Sequence, residues 1–163
     1  CQNGHPECAC LLSSYGASRA RGEGVHAADK LAAERTAERW GHSDLLAWLV
    51  RSRDWTPLHH TEVLTTAHAR SLLRSGACLY VGSPSPLQLA QGSTSDVSAL
   101  LLRAERWSTS SHELFPEPLR ARAVALLRLG YLLSWSPRFQ SVSVSLVDVW
   151  RDYVMPHAIS RLP

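Results

Sequence analysis

At 163 residues the chain is long enough for one domain, or a short array, with a sizeable buried core. Its hydrophobic fraction of 45% is ordinary, and a formal charge of +3 is too small to point to nucleic acid. No apolar run approaches the length of about 18 residues that a membrane-spanning helix needs. Lys30 is the only lysine, so arginine carries nearly all the positive charge, and GC-rich coding explains this better than phosphate binding. The cysteines Cys1, Cys8, Cys10 and Cys78 lack the spacing of a small disulfide framework and are read as free thiols of a reducing compartment.

In chain order, Gly4-His5 opens a short helix with Pro6 in its first turn. Cys8, Leu11 and Leu12 are expected on its inward face beside Ala9, and Gly16-Ala17 closes it. Ser18 to Gly24 is small, basic and glycine-containing, which predicts an exposed loop. His26 to Trp40 favours helix by propensity until Gly41-His42 breaks it, and Ser43 then caps a helix over 44–51. Thr56-Pro57-Leu58-His59 reads as another helix start, because Thr56 can cap the free amides and Pro57 needs no N–H at the first position. A partner helix follows over 69–75 with Leu72 in its core, and Gly76 supplies the left-handed residue that ends it. Ser85-Pro86-Leu87 repeats that start, with a helix to about Gln91 and, after Gly92 to Ser95, another over 96–106.

Trp107 to His112 forms a polar loop, and Leu114-Phe115-Pro116 leads into a long helix over about 117–133 whose apolar positions recur at three and four. Ser134 to Phe139 is a loop. A last helix spans about 143–159, and Pro156 predicts a kink or an end near Asp152 to Met155. Trp48, Trp135 and Trp150 sit within apolar patterns and are expected in the core.

The grammar of start, helix, helix, Gly-Ala and start again is that of a helical repeat. Thr56-Pro57-Leu58-His59, Gly76-Ala77, and the spacing of Gly4-His5 from Gly16-Ala17 resemble the ankyrin repeat. His60-Thr61-Glu62 departs from the family's Leu-Ala-Ala, and the Gly-His that separates the two helices is missing from that unit. Trp55 to His60 and Trp107 to Leu133 are similar to segments recurring in ankyrin-type proteins of unicellular marine algae, a likeness that brings no known activity. The resemblance implies an all-α fold: a short ankyrin-like helical solenoid over 1–106, its first repeat truncated, closed by a two-helix cap over 107–163. A chain that begins in mid-repeat is expected to be part of a longer product.

No Gly-x-Ser-x-Gly elbow and no glycine-rich phosphate loop occurs, so the chain is read as a non-enzyme without cofactor or metal. Cys1, His5, Cys8 and Cys10 crowd together, but Cys8 and Cys10 point to different helix faces and do not fit the spacing of a structural zinc site. His59-His60 beside Glu62 has the composition of a general base with its carboxylate. The resemblance implies instead that His59 bonds its own turn and its neighbour's, leaving His60 to face the groove.

Protein binding through the concave face is the implied function, with Asn3, Arg19, Arg39, Trp40, Trp55 and His60 as the binding candidates. Aromatic side chains near arginine are the usual anchors of such interfaces. The alternative is a substrate adaptor that docks to a ubiquitin ligase or another assembly through its C-terminal helices. What separates the two is whether 146–159 presents an apolar stripe or buries it against 117–133. The expected partner is an unidentified protein, with neither nucleic acid nor membrane involved. The chain is expected to be a monomer acting in the cytoplasm or nucleus.

Overall fold

The computed structural model describes residues 3–17 and 32–161. Every regular element among them is helical, and none is a strand. Helix α1 (Pro6–Ser14) carries Pro6 at its first position and ends at Gly16, whose φ of 78° no side chain would favour. Helices α2 (Ala32–Arg39) and α3 (Ser43–Arg51) are joined through Gly41. Ser43 is the first helical residue of α3 rather than its cap. The expected 18–24 loop and the start of the 26–40 helix lie outside the described residues.

Thr56-Pro57-Leu58-His59 closes on itself as its chemistry dictates. The His59 amide donates to the Thr56 carbonyl at 3.0 Å, and the Thr56 amide donates to His59 Nδ1 at 2.8 Å. Yet only a single 3₁₀ turn forms, Pro57–His59, where a full helix was expected. The β-branched residues Thr61 and Val63 lose rotamer freedom in a helix. The chain instead turns again at His60 and restarts at α4 (Thr66–Arg74), capped by Thr65 through the His68 amide at 3.2 Å. In α4 the fully buried leucine is Leu73, while Leu72 is only partly buried against the same cluster.

Helix α5 (Pro86–Gln91) starts with a reciprocal box: Gln88 N–H donates to Ser85 Oγ at 3.3 Å, and Ser85 N–H to Gln88 Oε1 at 2.8 Å. Helix α6 (Asp96–Arg103) stops short of Arg106, because the chain must turn to bury Trp107. Trp107 was expected in a polar loop but is 2% exposed, its indole N–H donating to His112 Nδ1 at 3.2 Å. The loop's serines satisfy each other around it: Ser108 N–H donates to Ser111 Oγ at 2.9 Å, and that hydroxyl donates to the Arg106 carbonyl at 3.0 Å.

Beyond the His112–Leu114 turn, α7 (Glu117–Ser134) matches the expected long helix. After a 3₁₀ stretch, Pro137–Val142, helix α8 (Ser143–Val149) widens into a π-helical stretch, Trp150–Val154, and continues as α9 (Met155–Ala158). The widening falls just ahead of Pro156, whose ring would clash with the carbonyl four residues earlier and which has no amide to give. Trp150 lies flat on α7 over Gly130, where a Cβ would come within 2.5 Å of the indole, and its N–H donates to the Leu126 carbonyl at 2.9 Å. Met155 and Ile159 are buried with Trp107, Phe115 and Ala123, whereas Val144, Val149 and Tyr153 are exposed. Trp135 was expected in the core, but it ends α7 and is 71% exposed.

Among the described residues three clusters are buried: Ala37, Leu45 and Leu49 between α2 and α3, a larger one around α4–α6, and the C-terminal one. Helix α1 touches two of the packed regions. Ala9 packs on the α2–α3 cluster, while the Tyr15 ring meets that of His68 at 4.6 Å and Gly16 approaches Pro57. The helix is turned from the expected orientation: Ser13 and Ser14 are buried, and Cys8, Leu11 and Leu12 are exposed. Small polar side chains face inward because α1 must approach α3 and the 57–60 turn at once.

Candidate functional site

The expected binding residues fall into two groups. Asn3, Arg39 and Trp40 are exposed around the turn that joins α2 to α3. Gly4, next to Asn3, lies so close to the His42 ring that a Cβ would meet it at 2.5 Å. Arg19 lies outside the described residues. Trp55 and His60 belong to the other end of α3, about 12 Å away by the helix rise.

At that end, α1, α3, the 55–62 segment and α5 bound a groove of about 540 Å³. Trp48 and Trp55 form its aromatic walls, Arg51 and Glu62 are exposed charges of opposite sign, and Cys10, His60 and Gln88 add polar atoms. Trp55 is delivered there by a fixed approach. Arg53 donates to both oxygens of the fully buried Glu34, at 2.8 and 2.6 Å, and Ser52 Oγ donates to the Trp48 carbonyl at 2.7 Å. The Glu34 carboxylate, through its hydrogen bond first and its charge second, raises the Arg53 pKa further above the ordinary value.

The two histidines have different surroundings. Trp55 stacks on His59, centroids 5.5 Å apart and planes 9° apart. His59 Nδ1 accepts the Thr56 amide, so the proton sits on Nε2, which faces Gly82. At Gly82 the φ is 86° and a Cβ would come within 2.7 Å of that nitrogen. Burial pushes the His59 imidazole below its ordinary value, over the opposing pull of the Thr56 backbone. The bond to its own turn matches the expected role.

His60, expected to face the groove, lines its floor and is 3% exposed. Its Nε2 lies 2.9 Å from Ser13 Oγ and its Nδ1 3.3 Å from Cys10 Sγ, while Trp55 meets the ring edge-on at 5.5 Å. Both nitrogens are engaged, so His60 ties α1 to the groove and positions its walls. Sequence reasoning does not single out Cys10 and Trp48 as groove residues, nor Ser13 as the buried partner of His60 behind them. The one local signal was the three-residue spacing of Cys10 and Ser13, which puts them on one helix face.

A second cleft of about 370 Å³ at the far end of the α7–α8 hairpin is lined by Tyr131, Trp135, Val144 and Val147, and holds none of the expected residues. Among the described residues no three or more of His, Cys, Asp and Glu gather as a metal site would require, and no helix is long and apolar enough to cross a membrane. No family model, curated protein or solved structure matches this chain.

Proposed function

We propose that the chain is an ankyrin-like scaffold that binds a protein partner in the groove walled by Trp48 and Trp55, performing no chemistry on that partner. The observation that carries this reading is the groove itself. Two half-buried indoles flank a site of about 540 Å³, with a guanidinium and a carboxylate at hand, the composition of an interface hot spot. The Trp55 indole N–H also finds no acceptor among the described residues. The fitting ligand is a peptide segment with an apolar side chain between charges complementary to Arg51 and Glu62.

Support for the ankyrin-like reading comes from the reciprocal caps at Thr56–His59 and Ser85–Gln88 and from the left-handed glycines at Gly16 and Gly76. In it, α7 to α9 are the cap of the repeat array. Cytoplasmic or nuclear action as a monomer belongs to the same proposal.

A second reading, docking to a ubiquitin ligase or another assembly through the C-terminal helices, is favoured by one observation. Tyr131, Trp135 and Val144 are exposed around the 370 Å³ cleft, although Trp150, Met155 and Ile159 turn inward. Affinity capture from cell extract separates the two. For groove binding, Trp55→Ala and Arg51→Ala are expected to weaken a captured partner by about 30-fold each, a hot-spot cost of about 2 kcal/mol. Trp40→Ala should leave it bound. A partner indifferent to Trp55 and Arg51 but lost with Trp135→Ser/Val144→Ser moves the function to the hairpin end. Circular dichroism on each variant keeps unfolding from mimicking either result.

A further inference from the structure

Cys10 and His60 stand 50 residues apart in the chain and meet in the groove, Sγ 3.3 Å from Nδ1. The other ring nitrogen is 2.9 Å from Ser13 Oγ. In the tautomer whose Nε2–H donates to that hydroxyl, Nδ1 is the acceptor facing the thiol. An imidazole so oriented takes a thiol proton and holds the resulting thiolate as an ion pair. The Trp48 and Trp55 rings beside the imidazole restrict its rotation. Among the described residues, the charged and titratable groups that line the groove with the thiol are Arg51 from α3 and His59 and Glu62 from the segment across it, and Glu7 lies in the first turn of α1. Arg51 adds positive potential, which Glu62 and Glu7 offset from exposed positions. Cys10 is half-buried and lines the groove, whereas Cys8 and Cys78 are exposed with no histidine partner among the described residues.

We propose that Cys10 is an activated thiol, deprotonated by His60, which forms a mixed disulfide with a low-molecular-weight disulfide entering the groove. The Cys10 thiolate attacks one sulfur of the incoming disulfide, a Cys10–sulfur bond forms, and the original S–S bond breaks. The departing thiolate takes the proton held by the His60 imidazolium. Cys10 is oxidised and the departing half is reduced, so no further oxidant is required. Arg51 is the cation placed for a carboxylate of a peptide-like disulfide such as glutathione disulfide. The thiol's reactivity is a property of the chain alone and stands whether or not the groove also binds a protein.

Alkylation of the full chain with iodoacetamide between pH 5.5 and 9, followed by peptide mass mapping, reads each cysteine separately. Cys10 is expected to react about tenfold faster than Cys8 and Cys78 at pH 6.5, where an ordinary thiol of pKa near 8.5 is about 1% ionised, and to reach its plateau at lower pH. Incubation with glutathione disulfide should place the first adduct on Cys10. His60→Gln should remove the advantage, and Ser13→Ala, which keeps the imidazole, should move the inflection to higher pH. If His60→Gln does not fold, Ser13→Ala decides. The proposal is overturned if Cys10 reacts no faster than Cys8 with the same pH profile, if the glutathione adduct forms elsewhere first, or if folded Ser13→Ala leaves a fast Cys10 unchanged.

Discussion

His59 and His60 are neighbours and equally buried, yet one is bound to its own turn and the other to the N-terminal helix. His59 serves its own turn, and its depressed pKa has a definite consequence for stability. The unfolded chain takes up a proton near pH 6.5 that the native imidazole refuses, so this contribution is complete above the unfolded value and is lost as pH falls through the folded one. Thermal melts are expected to hold steady from about pH 8 to 7 and to drop on acidification toward pH 5. His59→Gln keeps an acceptor for the Thr56 amide, and should melt lower than the parent at pH 7.5 but with a shallower acid slope. Equal slopes in the two proteins would remove His59 from the account. The His59 role was legible because a cap is written in four consecutive residues. The place of His60 was not, since its partners Cys10 and Ser13 come from a helix some 50 residues away.

At the scale of elements, the periodicity and caps of the sequence locate each α-helix among the described residues, but not the 3₁₀ stretch Pro137–Val142, which reads as part of a loop, and not always a helix's ends or inward face. Local propensity sets neither the stop of α6, which yields to the burial of Trp107, nor the rotation of α1, which yields to contacts on two sides. The π-helical stretch is the opposite case: Pro156 dictates a local disturbance, and the chain widens within the expected stretch. The inward face of α4 makes a numerical test. Leu73 is fully enclosed and Leu72 only partly so. Leu73→Ala is expected to cost about 2–5 kcal/mol in denaturant melts, as enclosed leucines do, and Leu72→Ala less than half as much. A reversed order would mean that α4 packs on the face first expected.

For the whole molecule, three modest clusters need ties between them, and the last described residue supplies the longest. Arg161 donates from Nε to the Ala104 carbonyl at 3.1 Å, from Nη1 to the Leu73 carbonyl at 3.2 Å, and from Nη2 to the Leu114 carbonyl. Its guanidinium also lies 4.6 Å over the Phe115 ring. These carbonyls close α4, α6 and the 112–114 turn, the ends where a helix dipole favours a cation. Burial lowers the Arg161 pKa to about 10, which leaves it charged at neutral pH. Arg161→Ala should cost about 2–4 kcal/mol by stranding these acceptors. Arg161→Lys should recover only a fraction, since one ammonium cannot span the carbonyls. Full recovery by lysine would show that charge, and not the planar fork, does the tying.

The same fork sets an order of events during synthesis. The carbonyl of Leu73 is made 88 residues before its donor, so a ribosome exposes the ends of α4 and α6 with that site unfilled. Until Arg161 has left the exit tunnel, those helices lack their final tie. A nascent chain arrested upstream of that residue is therefore a looser object than the released protein, and more open to proteases and chaperones.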